Sequence, residues 1–217
     1  MGRGSGRGAR FVVHPADSSV WRRLALGACL GFLLVWWPAP ARAQNTLHWV
    51  TNYYAVNGAT FPEIMDSIGR SRPARLKPPL SGLTEWNIRW HFFTVPSDHG
   101  YRCSSFTTQT TLTNTLPFWR APTNAAYHVR TAWMRYSGNL AIHEGGHSRI
   151  ALAALAEIHK QVKTIPEAPD FESMRNLVNS TVERVLDRYR RMESEYDRLT
   201  EHGAKQFATG PRDLPGP

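Results

Sequence analysis

The sequence predicts an α+β fold: a small antiparallel sheet followed by two long helical stretches. Three observations carry that prediction. From residue 47 to about residue 117, three runs rich in β-branched and aromatic residues are separated by Gly, Pro and Asn clusters. From about residue 123 onward the apolar residues recur at three- and four-residue spacing. A final stretch over about 171–201 keeps that spacing without a proline, which suits one long helix.

The start of the chain stands apart from this pattern. Residues 1–20 are rich in Gly and Arg, Arg22 and Arg23 follow, and an apolar run extends from Leu24 to Trp37. "PAPARA" then closes an A-x-A box at Ala43. A basic region, an apolar region and a small-residue box in that order predict a secretory signal peptide over 1–43. The apolar run is short for a permanent bilayer span. The expectation is therefore a secreted or periplasmic domain over 44–203, with no stable membrane anchor after signal cleavage and a C-terminal tail over 204–217. Six Arg and one Asp fall within 1–43, which takes +5 of the total charge of +9 and leaves +4. No basic run or nucleic-acid motif remains, so no nucleic-acid partner is expected. One cysteine follows residue 43, Cys103, which forms no disulfide within the domain and reads as a small buried hydrophobe. Nothing in the sequence sets an oligomeric state.

The elements follow in order. "LHWVTNYYAV" (47–56) alternates bulky and polar residues as a first strand. Thr60 is placed to cap a short amphipathic helix over 61–69, with Pro62 in its first turn. Residues 70–82 are rich in Pro and Arg and read as a surface loop. In "TEWNIRWHFFTV" (84–95), Trp86, Ile88, Trp90 and Phe92 share one face of a second strand. "CSSFTTQTTLTNTLP" (103–117) is a threonine-rich third strand, which suits a solvated face or the wall of a wet cleft. A helix is expected over 123–136, with "SGN" interrupting it and Asn139 capping a second over 140–163. Asp170 caps the last helix, whose seam runs through Met174, Leu177, Val178, Thr181, Val185, Tyr189, Met192, Tyr196 and Leu199. Gly203 is placed for a left-handed conformation just past its end.

"HEGGH" (143–147) carries the chemistry. Residues i and i+4 share a helix face, so His143 and His147 can converge on one metal ion. Glu144 sits beside that face, where a carboxylate can take a proton from an attacking water and pass it to a leaving amine. A zinc ion with three protein ligands and one open position suits such a set. Gly145 and Gly146 each cost about 1 kcal/mol against alanine inside a helix. Two together point to a close approach by a substrate or by a neighbouring element. The third ligand is not local. Glu157 and His159 lie on the same helix, with His159 about 18 Å beyond His147, too far to share the ion. It has to come from a later element, and "ESEYDRLTEHG" (193–203) offers Asp197 and His202.

The strings "YYAVNGAT" (53–60), "TEWNIRW" (84–90), "LPFW" (116–119), "HEGGH" (143–147) and "YDRLTEHG" (196–203) together resemble an uncharacterised bacterial family of predicted secreted zinc-dependent proteases, a domain-of-unknown-function family. The resemblance implies a zincin-like fold, with a small antiparallel sheet on the metal-site helix and the long last helix bringing the third ligand. It puts His202 first and Asp197 second for that ligand, and it implies that Tyr196 polarises a carbonyl oxygen in the transition state. The implied cofactor is Zn2+ and the implied partner a peptide or protein substrate. The implied reaction is peptide-bond hydrolysis with Glu144 as general base. Two other readings stay open on the residues: a zinc amidase acting on cell-wall peptides, and a non-catalytic exported metal-binding or scaffold protein.

Overall fold

The computed structural model describes residues 44–211; the predicted signal peptide and residues 212–217 lie outside the described residues. Three strands and three helices follow in order: β1 (Thr46–Val56), α1 (Phe61–Ser71), β2 (Leu83–Ser97), β3 (Gly100–Trp119), α2 (Tyr127–Val162) and α3 (Phe171–Thr200). A short 3-10 turn at Ala204–Gln206 is the last regular element of the described residues. No helix among the described residues is long and apolar enough to cross a membrane.

The sheet has the order β1-β3-β2 and is mixed. β2 and β3 form an antiparallel hairpin that pairs from Leu83↔Thr115 down to Ser97↔Gly100, with a register shift at Phe93/Thr94. β1 pairs with the other edge of β3 in parallel, from Thr46↔Gln109 to Val56↔Trp119. This corrects the expected antiparallel sheet. The physical reason is connection length. A two-residue turn at Asp98 and His99 makes β2 and β3 neighbours, whereas α1, a loop and β2 separate β1 from β3. That long excursion lets the chain return as β3 beside β1 in the parallel sense.

Local chemistry sets the helix starts. Thr60 accepts from the Glu63 amide, and Glu63 reaches back to the Ala59 amide at 2.6 Å, a reciprocal cap for α1. Asp170 caps α3 by accepting from the Ser173 amide at 2.7 Å. The break expected at "SGN" is absent: α2 runs unbroken for 36 residues, about 54 Å at 1.5 Å per residue. Its buried stripe passes Val129, Ala132, Trp133, Tyr136 and Leu140 and continues into the histidine motif and on to Ile158. Apolar packing along one face outweighs the propensity of three residues whose neighbour Tyr136 is itself core.

α2 and α3 are antiparallel: His147 meets Glu193 and Asp197 at one end, and Glu157 meets Arg188 at 3.3 Å further along. Both helices pack on β2 and β3. Trp86, Ile88 and Trp90 join Ala154, Ile158, Val182 and Leu186 in one cluster, as the period-two reading of β2 requires. The indole N–H groups of Trp86 and Trp90 donate to Glu193 and Asn179 on α3. A second cluster holds α1, the ends of β1 and β3, and the first half of α2, with Val56, Ile64, Leu76, Trp119, Trp133 and Leu140. On α3 the buried seam is Met174, Val178, Thr181, Val182, Val185 and Leu186, while Leu177, Met192 and Leu199 are exposed, contrary to expectation. Cys103 is free and only partly buried. Residues 143–148 of α2 lie between the two clusters along the helix, which is where the polar residues of the core gather.

Candidate metal centre

His143, Glu144 and His147 are all buried, at 4, 5 and 9 % exposure. Helical spacing puts the two histidines on one face, with imidazole centroids 5.1 Å apart and rings nearly perpendicular. α3 crosses that face antiparallel and delivers Asp197. Its Oδ1 lies 3.4 Å from Nε2 of His143 and 3.1 Å from Nε2 of His147. Two ligands held 2.0–2.1 Å from one tetrahedral ion stand about 3.3 Å apart. The donor atoms of His143, His147 and Asp197 all lie within 4.8 Å of one another and form a group that could hold a metal ion.

The outer nitrogens are also engaged. Nδ1 of His143 lies 2.9 Å from Oε1 of Gln206, a pure acceptor, so Nδ1 carries the proton and Nε2 presents its lone pair. Nδ1 of His147 faces Glu193 Oε1 at 3.6 Å, and Trp86 holds that same oxygen. Burial lowers the pKa of His143 despite the Gln206 contact. At His147 burial works in the same direction, but Glu193, Asp197 and Glu144 outweigh it and hold the imidazole above its ordinary value. Glu144 is pushed up, first by burial, with the Thr84 hydrogen bond opposing.

His202, expected ahead of Asp197, does not join the donor group. It follows the last turn of α3 in the left-handed region at φ 50°, its side chain is 62 % exposed, and its Nδ1 lies 3.5 Å from the other oxygen of Asp197. Three successive left-handed residues, Glu201, His202 and Gly203, turn the chain back over α2. Gly203 takes up the expected left-handed conformation at φ 82°, and a Cβ there would lie 3.2 Å from Cγ of His143. The chain beyond is therefore not a loose tail at its start: Gln206 bonds His143, and Ala208 is buried.

Tyr196, expected to polarise a carbonyl oxygen, packs on both histidines. Its ring stacks on His143 at 5.2 Å and meets His147 edge-on at 5.0 Å. Its hydroxyl donates to the backbone oxygen of His143 at 3.2 Å and contacts Gln206. This geometry supports the histidines from beneath and turns the hydroxyl toward the helix backbone. Gly146 makes it possible, because a Cβ there would clash with the hydroxyl end of the Tyr196 side chain. Gly145 has no such role: a Cβ there would meet only the end of Arg149 at 3.7 Å.

A cavity of about 340 Å3 opens beside Glu144 and His143, walled by Pro79, Leu80, Gly82, Leu140 and Ala208, with Glu201 and His202 also lining it. Sequence reasoning missed Thr84, Asn114, Glu193 and Gln206. Glu193 was findable, since it precedes Asp197 by four residues on one helix face. Asn114 was findable as the one amide among the inward positions Thr108, Thr110 and Leu112 of β3.

Residues 51–203 match a family described as "Bacterial protein of unknown function (DUF922)". No curated protein matches the chain, and no solved structure does.

Proposed function

The chain belongs to the bacterial family DUF922, and we propose that it is an exported, zincin-like zinc-dependent hydrolase acting on peptide bonds, with His143, His147 and Asp197 as ligands. The observation that carries the reading is the convergence of two imidazole Nε2 atoms on one Asp197 oxygen, next to a buried glutamate that lines a cavity. Zinc bound there supplies Lewis acidity and makes water acidic enough to ionise near neutral pH.

The protein's own residues do the rest. Glu144 takes a proton from the attacking water as its oxygen bonds to the scissile carbonyl carbon. It returns that proton to the amine nitrogen as the C–N bond breaks. Burial raises the pKa of Glu144, which makes it a better base at neutral pH than a solvated carboxylate. Gln206 and Glu193 fix the two imidazoles, and Tyr196 packs against both. The apolar wall of Pro79, Leu80, Leu140 and Ala208 suits an apolar side chain of a peptide or protein substrate.

The test pairs metal content with turnover. In Glu144→Gln, zinc measured by elemental analysis stays at the wild-type level while hydrolysis of a peptide mixture falls by roughly a thousandfold or more. Full hydrolysis by that variant would remove Glu144 from the mechanism.

A further inference from the structure

A chain of hydrogen bonds crosses the sheet from β1 to Glu144, and its direction can be worked out. The indole Nε1 of Trp49 is a donor only, and it lies 2.7 Å from Oδ1 of Asn114. That contact orients the amide, so Nδ2 of Asn114 points away from Trp49 and donates to Oγ1 of Thr84 at 2.8 Å and to Oγ of Ser148 at 2.9 Å. Each hydroxyl is thus an acceptor from Asn114 and has one proton left to give. Ser148 gives its proton to the backbone oxygen of Glu144 at 3.1 Å. Thr84 stands 2.7 Å from Oε2 of Glu144 and 3.1 Å from the backbone oxygen of the same residue. The shorter contact, to a charged oxygen, takes the proton. Asn114 and Ser148 are buried, so water does not compete for these groups.

The other carboxylate oxygen meets a different environment. A Cβ on Gly82 would lie 2.5 Å from Oε1 of Glu144, so the space beside Oε1 exists only because residue 82 has no side chain. Gly82 and Glu144 both line the cavity.

We propose that Thr84, oriented by Asn114 and Trp49, is a positioning residue that commits Oε2 of Glu144 as an acceptor and leaves Oε1, in the space at Gly82, as the oxygen that exchanges the proton during hydrolysis. The proposal rests on the hydrolase reading for its chemistry; the relay itself stands on the geometry alone. Thr84 touches neither substrate nor ion and acts through Glu144.

The experiment compares zinc-loaded wild type with Thr84→Val, Thr84→Ser and Gly82→Ala. It reads kcat, KM, zinc content and the 1H–15N signal of the Trp49 indole, identified by its loss in Trp49→Phe. In Thr84→Val, kcat falls roughly ten- to hundredfold, the range of a lost hydrogen bond to a charged group. KM and zinc content hold, and the Trp49 signal moves because the Asn114 amide has lost a partner. Thr84→Ser restores both kcat and the signal. Gly82→Ala displaces the Glu144 carboxylate but leaves the Trp49–Asn114–Thr84 bonds in place, so kcat falls while the Trp49 signal stays. It also serves if Thr84→Val does not fold. Unchanged kcat in Thr84→Val, or loss of zinc together with kcat, overturns the positioning role. If zinc-loaded wild type hydrolyses no peptide, the hydrolase reading fails by itself and the Trp49 signal decides the relay: moved by Thr84→Val it stands, unmoved it falls.

Discussion

Gly145 and Gly146 are neighbours in α2, yet substitution by alanine has opposite expected effects. At Gly146 the new methyl would clash with the hydroxyl end of Tyr196, which is held between His143, His147 and Gln206. Overpacking of that kind costs about 1–3 kcal/mol, more than the roughly 1 kcal/mol that alanine gains over glycine in a helix. At Gly145 the space is open, so Gly145→Ala gains about 0.5–1 kcal/mol. Urea unfolding of the two metal-free variants reads both signs; a stabilised Gly146→Ala would contradict the placement of Tyr196. The pair was legible in "HEGGH" as an expensive choice for a helix, but which glycine admits a neighbour, and which neighbour, depends on α3 crossing there. That Asp197 rather than His202 lies beside both histidines was not legible for a related reason. Three left-handed residues after Thr200 carry His202 to the rim, and two of the three are not glycine, so no local pattern announces the turn.

At the scale of elements, α2 is the main departure from expectation. Its buried positions Tyr136 and Leu140 flank Ser137, Gly138 and Asn139, which are not buried, so local helix breakers yield to packing on either side. A Cβ on Gly138 would meet nothing within 4 Å. Gly138→Ala is therefore expected to stabilise the protein by up to about 1 kcal/mol, measured by urea unfolding. A broken helix at that point would show no such gain. The caps at Thr60 and Asp170 were readable because capping is a contact across three or four residues. The parallel pairing of β1 was not, because a strand's own alternation carries no record of its partner or direction. The tryptophans of β2 show the limit: their shared face was clear from spacing, but that their indole nitrogens would anchor Glu193 and Asn179 on α3 required the helix in place.

At the scale of the whole molecule, the core cluster around α1 and the first half of α2 carries two buried phenols next to the polar site. Tyr54 donates to the backbone oxygen of Ser81 at 2.7 Å, beside the cavity, and its pKa is pushed upward chiefly by burial. Tyr136 is pushed up to about 12, by burial first and with Glu144 adding to it. In the unfolded chain a tyrosine ionises near pH 10, so between about pH 10 and 12 the unfolded state loses a proton that the native state keeps. Stability is fully present below pH 10 and is lost as pH rises, on the order of 2–3 kcal/mol for Tyr136 by pH 12. Unfolding free energies measured across that range should fall steeply in wild type and less steeply in Tyr136→Phe; equal slopes would contradict the burial of this phenol as a source of alkaline sensitivity. Zinc stoichiometry by elemental analysis reads the proposed ligand set. Wild type is expected to hold one zinc per chain, Asp197→Asn and His147→Ala to hold none, and His202→Ala to keep it. Zinc retained in Asp197→Asn, or lost in His202→Ala, would contradict the centre built on His143, His147 and Asp197.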